Sequence, residues 1–372
     1  MKKLLFILFF LPIFLLAQNS SFIQIGQNLQ SGINSDSFGE SGLALSGDGR
    51  ILAIGAFFWE CGNTNGDDGR VHIYENILND WVQIAIISPS ICPNGNSSAF
   101  GWSISLNYDG NIIAIGGPYS NTQEGYSAIY ENINGTWTQF GQNIDGDNAS
   151  DNSGRAISLS NDGYTVAVGA PYNDGNGNQA GHVRVYNWNG NSWSLVGSDI
   201  EGQPYDESGW SVSLSGDGNI VAIGAINTNS NSPGFNDGIG SVRVYQWDGV
   251  SWIQLGLDID GEAADDEFGY DVDLNNDGSI VAVVGRWNDG NGNNAGHTRI
   301  YSWDGTSWNQ IGQDIDAEAA NDQTGSVAIS SDGSIVAIGS HYNDGNGSNS
   351  GHVRIFENIN SNWIQIGQDI DG

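Results

Sequence analysis

Hydrophobic and polar positions alternate along this chain in short runs, and the runs come in sets of four. Residues 208–256 show one set. Val212 and Leu214 alternate with Ser211, Ser213 and Ser215, an Asp-Gly turn follows, and NIVAIGA (219–225) makes the second run. Val242, Val244 and Tyr245 mark the third, and SWIQLG (251–256), after a second Asp-Gly turn, the fourth. Period-two runs rich in Val and Ile, separated by Asp-Gly or Asn-Gly turns, predict antiparallel hairpins. No helical stripe with a cap interrupts them, so each set predicts four short strands.

The set repeats. SWIQLG recurs as DWVQIA (80–85), TWTQFG (136–141), SWSLVG (192–197), SWNQIG (307–312) and NWIQIG (362–367), with SFIQIG (21–26) a seventh version. The aromatic falls at Phe22, Trp81, Trp137, Trp193, Trp252, Trp308 and Trp363, in steps of 59, 56, 56, 59, 56 and 55. Asp-Gly turns at Asp48, Asp109, Asp162, Asp217, Asp277 and Asp332 hold nearly the same period. Two independent anchors on one period establish a tandem array. Within a unit Val221 and Ile223 point one way and Ile220 and Ala222 the other, so both faces of each sheet need cover, which radial packing supplies. The expected fold is all-β, a β-propeller of four-stranded antiparallel blades. Six blades are expected, with a seven-bladed or incomplete ring as the alternative, because six copies of the core accompany seven copies of the outer strand.

Residues 1–17, MKKLLFILFFLPIFLLA, join two lysines to a fourteen-residue apolar run and read as a secretory signal peptide cut before Gln18. Residues 18–372 are then a single β-propeller domain of six tandem repeats of about 53–61 residues plus an extra terminal outer strand. The expected location is secreted, extracellular or at the cell surface. Cys61 and Cys92, both in the first unit, are expected to pair in that oxidising setting. The formal net charge is -33, from 10 Lys+Arg against 43 Asp+Glu, and the only lysines are Lys2 and Lys3. Such a balance excludes nucleic-acid and anionic-lipid partners. No later stretch is apolar enough for membrane insertion, and nothing in the sequence sets the oligomeric state.

FGYDVDLNNDGSIVAVVG (268–285) and SGWSVSLSGDGNIVAIGA (208–225) resemble FG-GAP repeats, the units of the integrin alpha-subunit propeller and of many secreted bacterial proteins. The resemblance runs over residues 22–372 and implies an extracellular propeller used in recognition or adhesion. It also implies calcium in the loop between first and second strands. Asp273, Asn275 and Asp277 come nearest to that motif, but Val281 stands where its last carboxylate belongs, and the other units begin it with Ala44, Ser105, Ser158, Ser213 or Ala328.

Other candidates come from the residues themselves. Three loops, NDGNGN (173–178), NDGNGN (288–293) and NDGNGS (343–348), set Asp174, Asn176, Asp289, Asn291, Asp344 and Asn346 at alternate positions; such oxygens suit calcium, or else merely a wide turn. The repeated tryptophans read as packing between blades. Phe57, Phe58, Trp59, Tyr172, Trp287 and Tyr342 follow the VAIG strand and are expected at one rim, among loops that differ from blade to blade, as candidates for stacking on a glycan or a protein ligand. Arg184, Arg243, Arg299 and Arg354 share one strand position and are expected to pair with carboxylates of the D-I-D linkers. His182, His297 and His352 are expected too far apart to share a metal. No G-x-S-x-G, H-E-x-x-H or P-loop pattern occurs, and no carboxylate pair stands out. The expected function is therefore a non-catalytic recognition or adhesion module without an active site. A structural envelope or matrix component, and a secreted hydrolase or lyase with a propeller-top cleft, are the alternatives.

Overall fold

The computed structural model describes residues 22–30, 36–59, 68–89, 97–228 and 238–372. The expected signal peptide, Cys61 and Cys92 lie outside them. The chain is a six-bladed β-propeller with four-stranded antiparallel blades. Each blade runs inner, second, third and outer strand in sequence order, as in Ser208–Leu214, Ile220–Ala225, Ser241–Trp247 and Trp252–Gln254. The other inner strands are Phe38–Leu45, Ser103–Leu106, Ala156–Leu159, Phe268–Leu274 and Thr324–Ile329. From the second blade on, two linker residues such as Ile259–Asp260 also pair with the third strand. Among the described residues no helix is long and apolar enough to cross a membrane.

Three devices join successive blades. Val and Ile of facing sheets close apolar clusters, for example Val242 and Val244 of the fourth blade on Val272 and Val283 of the fifth. Each of four outer-strand indoles donates to a carbonyl of the preceding blade: Trp193 Nε1 to Phe140 O at 2.8 Å, Trp252 to Val196 at 3.0 Å, Trp308 to Leu255 at 3.0 Å and Trp363 to Ile311 at 2.9 Å. The periodic tryptophans are thus packing residues, as their spacing suggests.

The third device deals with the free edge of the inner strand, whose N–H groups have no strand partner. A side chain of the preceding blade accepts them: Ser105 Oγ from Leu159 N (2.9 Å), Ser158 Oγ from Leu214 N (3.0 Å) and Ser213 Oγ from Leu274 N (3.0 Å). At the last step the serines become aspartates. Asp271 Oδ2 accepts from Val327 N at 2.9 Å and Asp273 Oδ2 from Ile329 N at 2.8 Å. Burial pushes these carboxyls up, Asp271 to about 7 and Asp273 to about 6, against the opposing pull of those same hydrogen bonds.

The sign of the consequence follows from linkage. A carboxyl raised on folding contributes stability that is complete below its unfolded value of about 4 and is lost as pH rises through 6 to 7. The Asp271→Asn/Asp273→Asn double variant keeps an acceptor oxygen without the charge. Its Tm is expected to exceed the wild-type value at pH 8 and to change less between pH 5 and 8. Parallel Tm-against-pH curves for the two proteins would refute the assignment.

The circuit does not close between the sixth and first blades among the described residues. The glycine of each Asp-Gly turn otherwise lies against the preceding second strand: a Cβ would stand 2.7 Å from Ile51 at Gly110, 2.7 Å from Ile220 at Gly278 and 2.4 Å from Ile280 at Gly333. Gly49, which would meet Ile335, has nothing within 4 Å. Leu43 and Leu45 are 59% and 55% exposed, while Val272 and Leu274 at the same places are 4% and 6%. Across the gap Ile335 and Val353 are 37% and 36% exposed. Residues 22–26 form no strand of their own. Gly26 packs on Trp81, with a Cβ position 3.4 Å from its Cδ1, much as Gly256 packs on Trp308 at 3.5 Å.

Candidate functional site

The antiparallel pairing Ser208↔Ala225 and Phe268↔Gly285 brings the start of each inner strand and the end of each second strand to one end of the channel. The inner strand opens there with a glycine at positive φ, 91° at both Gly209 and Gly269, inside a bulge that shifts the register. A bulge of this kind re-aims the next side chain. That side chain is Trp102 in the second blade, Arg155 in the third, Trp210 in the fourth and Tyr270 in the fifth.

These residues form an arc around the channel mouth. Phe57 lies 4.8 Å from Trp102, centroid to centroid. The Arg155 guanidinium is held between Trp102, at 5.0 Å, and Trp210, at 4.2 Å. Trp210 lies 5.9 Å from Tyr270, and Arg286 lies over Tyr270 at 4.6 Å. Arg286 also donates to the Tyr270 hydroxyl at 3.1 Å and, across to the sixth blade, to Gln323 Oε1 at 3.0 Å. Tyr119 and Tyr172 stand behind, 5.4 Å from Trp102 and 6.4 Å from Trp210. Arg50, Arg70, Arg184, Arg243 and Arg299 pair with carboxylates. Arg155 and Arg286 form no ion pair among the described residues, so two cations of a very acidic protein face the mouth held by rings and neutral groups.

Just before each glycine-opened strand, one residue adopts left-handed φ: Asn152 (55°), Glu207 (55°), Glu267 (49°) and Gln323 (51°). A ring of non-glycine residues in that region is stored strain of the sort that clusters at functional sites. Glu207 and Glu267 are buried. Burial, then the neighbouring Glu267, pushes the Glu207 carboxyl up to about 7, while Arg155 and a hydrogen bond from Asn227 pull it down. Tyr172 is pushed up to about 12, by burial and then by Glu207. One arc therefore gathers a carboxyl that titrates near neutrality, a second buried carboxyl, two arginines and stacked aromatic faces. A cleft of about 310 Å³ opens beside it, between residues 262–266 and 287–294. A roomier cleft of about 500 Å³ is lined by Tyr126, Tyr130, Gln139 and Asp145.

Of the expected rim aromatics, Phe57, Tyr172 and Trp287 join this arc, Trp287 with Arg286 at 5.5 Å from its ring. Phe58 and Tyr342 are exposed, Tyr342 against His341 at 4.4 Å, and Trp59 takes the Arg70 guanidinium at 5.0 Å. Sequence reasoning missed Trp102, Arg155, Trp210, Tyr270, Arg286, Glu207 and Glu267.

The residues expected for calcium are engaged in hydrogen bonds. Asp273 is taken by Ile329 N and Ser213 Oγ, Asn275 Oδ1 accepts from Ile280 N at 2.9 Å, and Asp277 Oδ1 from Ser279 N at 3.0 Å. In the three Asn-Asp-Gly loops Asp174, Asp289 and Asp344 each accept the backbone N–H five residues on, at 2.8, 2.7 and 2.7 Å. Asn176, Asn291 and Asn346 donate from their amide nitrogens to the linker carbonyls of Gly202, Ala317 and Gly372. The arginine ladder pairs with the D-I-D linkers at Asp199 (2.6 Å), Asp258 (2.8 Å) and Asp314 (2.8 Å). Arg354 departs from it and donates to the Asp316 carbonyl at 2.6 Å.

No curated protein matches the sequence. Among solved structures, the chain is similar to one described as a putative 6-phosphogluconolactonase from Bacteroides uniformis, with TM-score 0.61 and 10% identity over 88% of this chain and 84% of that one. It is similar also to a periplasmic gluconolactonase from Pseudomonas aeruginosa, with TM-score 0.58 and 17% identity over 89% and 85%. A protein of unknown function from Desulfotomaculum acetoxidans follows, with TM-score 0.53 and 14% identity over 81% and 76%. At these identities the likeness is one of fold. The expectation that the chain is not an enzyme rested on absent motifs and does not stand, because two proteins that share this architecture are named as lactonases. Residues 137–186 match the FG-GAP repeat family, the repeat that the sequence resembles, and the chain as a whole is a six-bladed propeller.

Proposed function

We propose that the channel mouth is a hydrolytic site for a sugar-derived lactone or similar cyclic ester, in a protein that works outside the cytoplasm. The observation that carries this reading is the Glu207 carboxyl, pushed up to about 7 beside Arg155 and among aromatic walls. A general base is most effective when its pKa lies near the working pH. Ionised Glu207 takes a proton from water as the water oxygen bonds to the lactone carbonyl carbon. Arg155, which forms no ion pair among the described residues, faces the negative charge that gathers on the carbonyl oxygen. The ring C–O bond then breaks, and Glu207 returns the proton to the leaving alkoxide, giving the hydroxy acid. Trp102, Trp210 and Tyr270 offer faces on which a sugar ring stacks. The names of the two lactonases of similar fold support the reaction class. The periplasmic one and the apolar amino-terminal run support the location.

The test is a panel of aldonolactones and aryl esters assayed across pH 5–9. Turnover of at least one lactone is expected, with kcat/KM rising through about pH 7. Absence of turnover across the panel, at any pH, would refute the reading.

A further inference from the structure

Three blades begin the third strand with a histidine, His182, His297 or His352, and carry an aspartate seventeen residues on, Asp199, Asp314 or Asp369. The preceding linker adds Asp147, Glu262 or Glu318. His Nδ1 lies 3.9, 3.8 and 3.9 Å from its aspartate in the three copies. In two copies the arginine two residues after the histidine supplies the missing positive charge. Arg184 pairs with both Asp147 and Asp199, and Arg299 with both Glu262 and Asp314.

The sixth blade differs. Arg354 turns to the Asp316 carbonyl and forms no ion pair among the described residues. Glu318 Oε2 and Asp369 Oδ2 stand 3.8 and 3.9 Å from His352 Nδ1. The His352 side chain is 1% exposed and, as at His297, neither ring nitrogen has a hydrogen-bond partner among the described residues. A buried imidazole left so is unusual unless something else engages it. Gln365 Nε2 donates to Asp369 Oδ1 at 2.6 Å and leaves Oδ2 turned to the histidine. One ligand atom from each of the three residues lies within 4.8 Å of the others, and both carboxylates reach solvent.

We infer that Glu318, His352 and Asp369 bind one divalent ion of the zinc class. One imidazole nitrogen and two carboxylate oxygens with an open fourth position suit that ion. Calcium and magnesium want six or more oxygens and are poorly served. The ion takes the place that arginine fills in the third and fifth blades, and it ties the linker entering the sixth blade to the linker leaving it.

The test is calorimetric titration of EDTA-treated, dialysed full-length protein with ZnCl₂, in buffer whose excess CaCl₂ occupies the surface carboxylates. One saturable site per chain is expected. It is abolished in His352→Ala and weakened tenfold or more in Glu318→Gln, an exposed change that leaves the fold alone. Zinc is expected to raise the wild-type Tm by roughly 2 °C and to leave that of Glu318→Gln unmoved. No saturable site, or equal zinc binding by wild type and both variants, would overturn the inference.

Discussion

Glu207→Gln is expected to lower kcat/KM for lactone hydrolysis by about 10² to 10⁴-fold and to remove its rise through pH 7. Glutamine preserves the shape and the polar partners of the side chain but cannot accept a proton. Substrate binding, which rests on the aromatic arc and Arg155, should therefore change little, and the loss should fall on kcat. The same substitution is expected to raise the Tm at pH 8. Glu207 is buried beside Glu267 and its carboxyl is raised, so its ionised form is a burden on the native state above neutrality. Lower activity with higher stability is the signature of a group kept for chemistry rather than for folding. Arg155→Lys keeps the charge but loses the planar stack between Trp102 and Trp210, and a drop of about 10²-fold is expected there too. If Glu207→Gln turns over at the wild-type rate while Glu267→Gln does not, the base is Glu267. If neither moves the rate, the mouth is not the site.

The propeller was legible because its evidence is periodic. Trp193, Trp252, Trp308 and Trp363 do one job at one spacing, and each donates to the same kind of carbonyl in the blade before. The site was not, for a physical reason. Strict alternation along an inner strand assigns every second residue to the neighbouring blade, but the bulge at Gly209 and Gly269 inserts two residues and leaves Trp210 and Tyr270 outside the strand pairing. The signal available was variation: after the F-G or S-G pair the blades read Trp102, Arg155, Trp210 and Tyr270, while the strand beyond stays Val, Ile or Leu alternating with Ser or Asp. Glu207 gave no sign at all. A carboxylate among 43 acidic residues is indistinguishable until its burial is known.

Gly224→Ala is expected to destabilise the protein by about 3 kcal/mol or more, while Gly339→Ala, the same substitution two blades on, should cost far less. Neither glycine has the positive φ that would exclude alanine, so backbone strain does not separate them. Their surroundings do. A Cβ on Gly224 would stand 2.1 Å from the Gly269 carbonyl oxygen of the next blade and 2.2 Å from Ser211 Oγ. The serine can rotate away, but the carbonyl belongs to an inner strand fixed by its own ladder, so the fourth and fifth blades must move apart. The same approach recurs at Gly55, Gly116 and Gly169, each 2.1 to 2.2 Å from a carbonyl of the following blade. At Gly339 only Ser326 Oγ, at 2.5 Å, is near, and no following blade is in reach. The pair thus measures whether the far face of the sixth blade is covered in solution. Equal losses on chemical denaturation would mean that this face is packed as tightly as the others, and that the circuit closes on the exposed Leu43 and Leu45. Unequal losses leave Ile335 and Val353 open to solvent, and the wedge between the first and sixth blades with them.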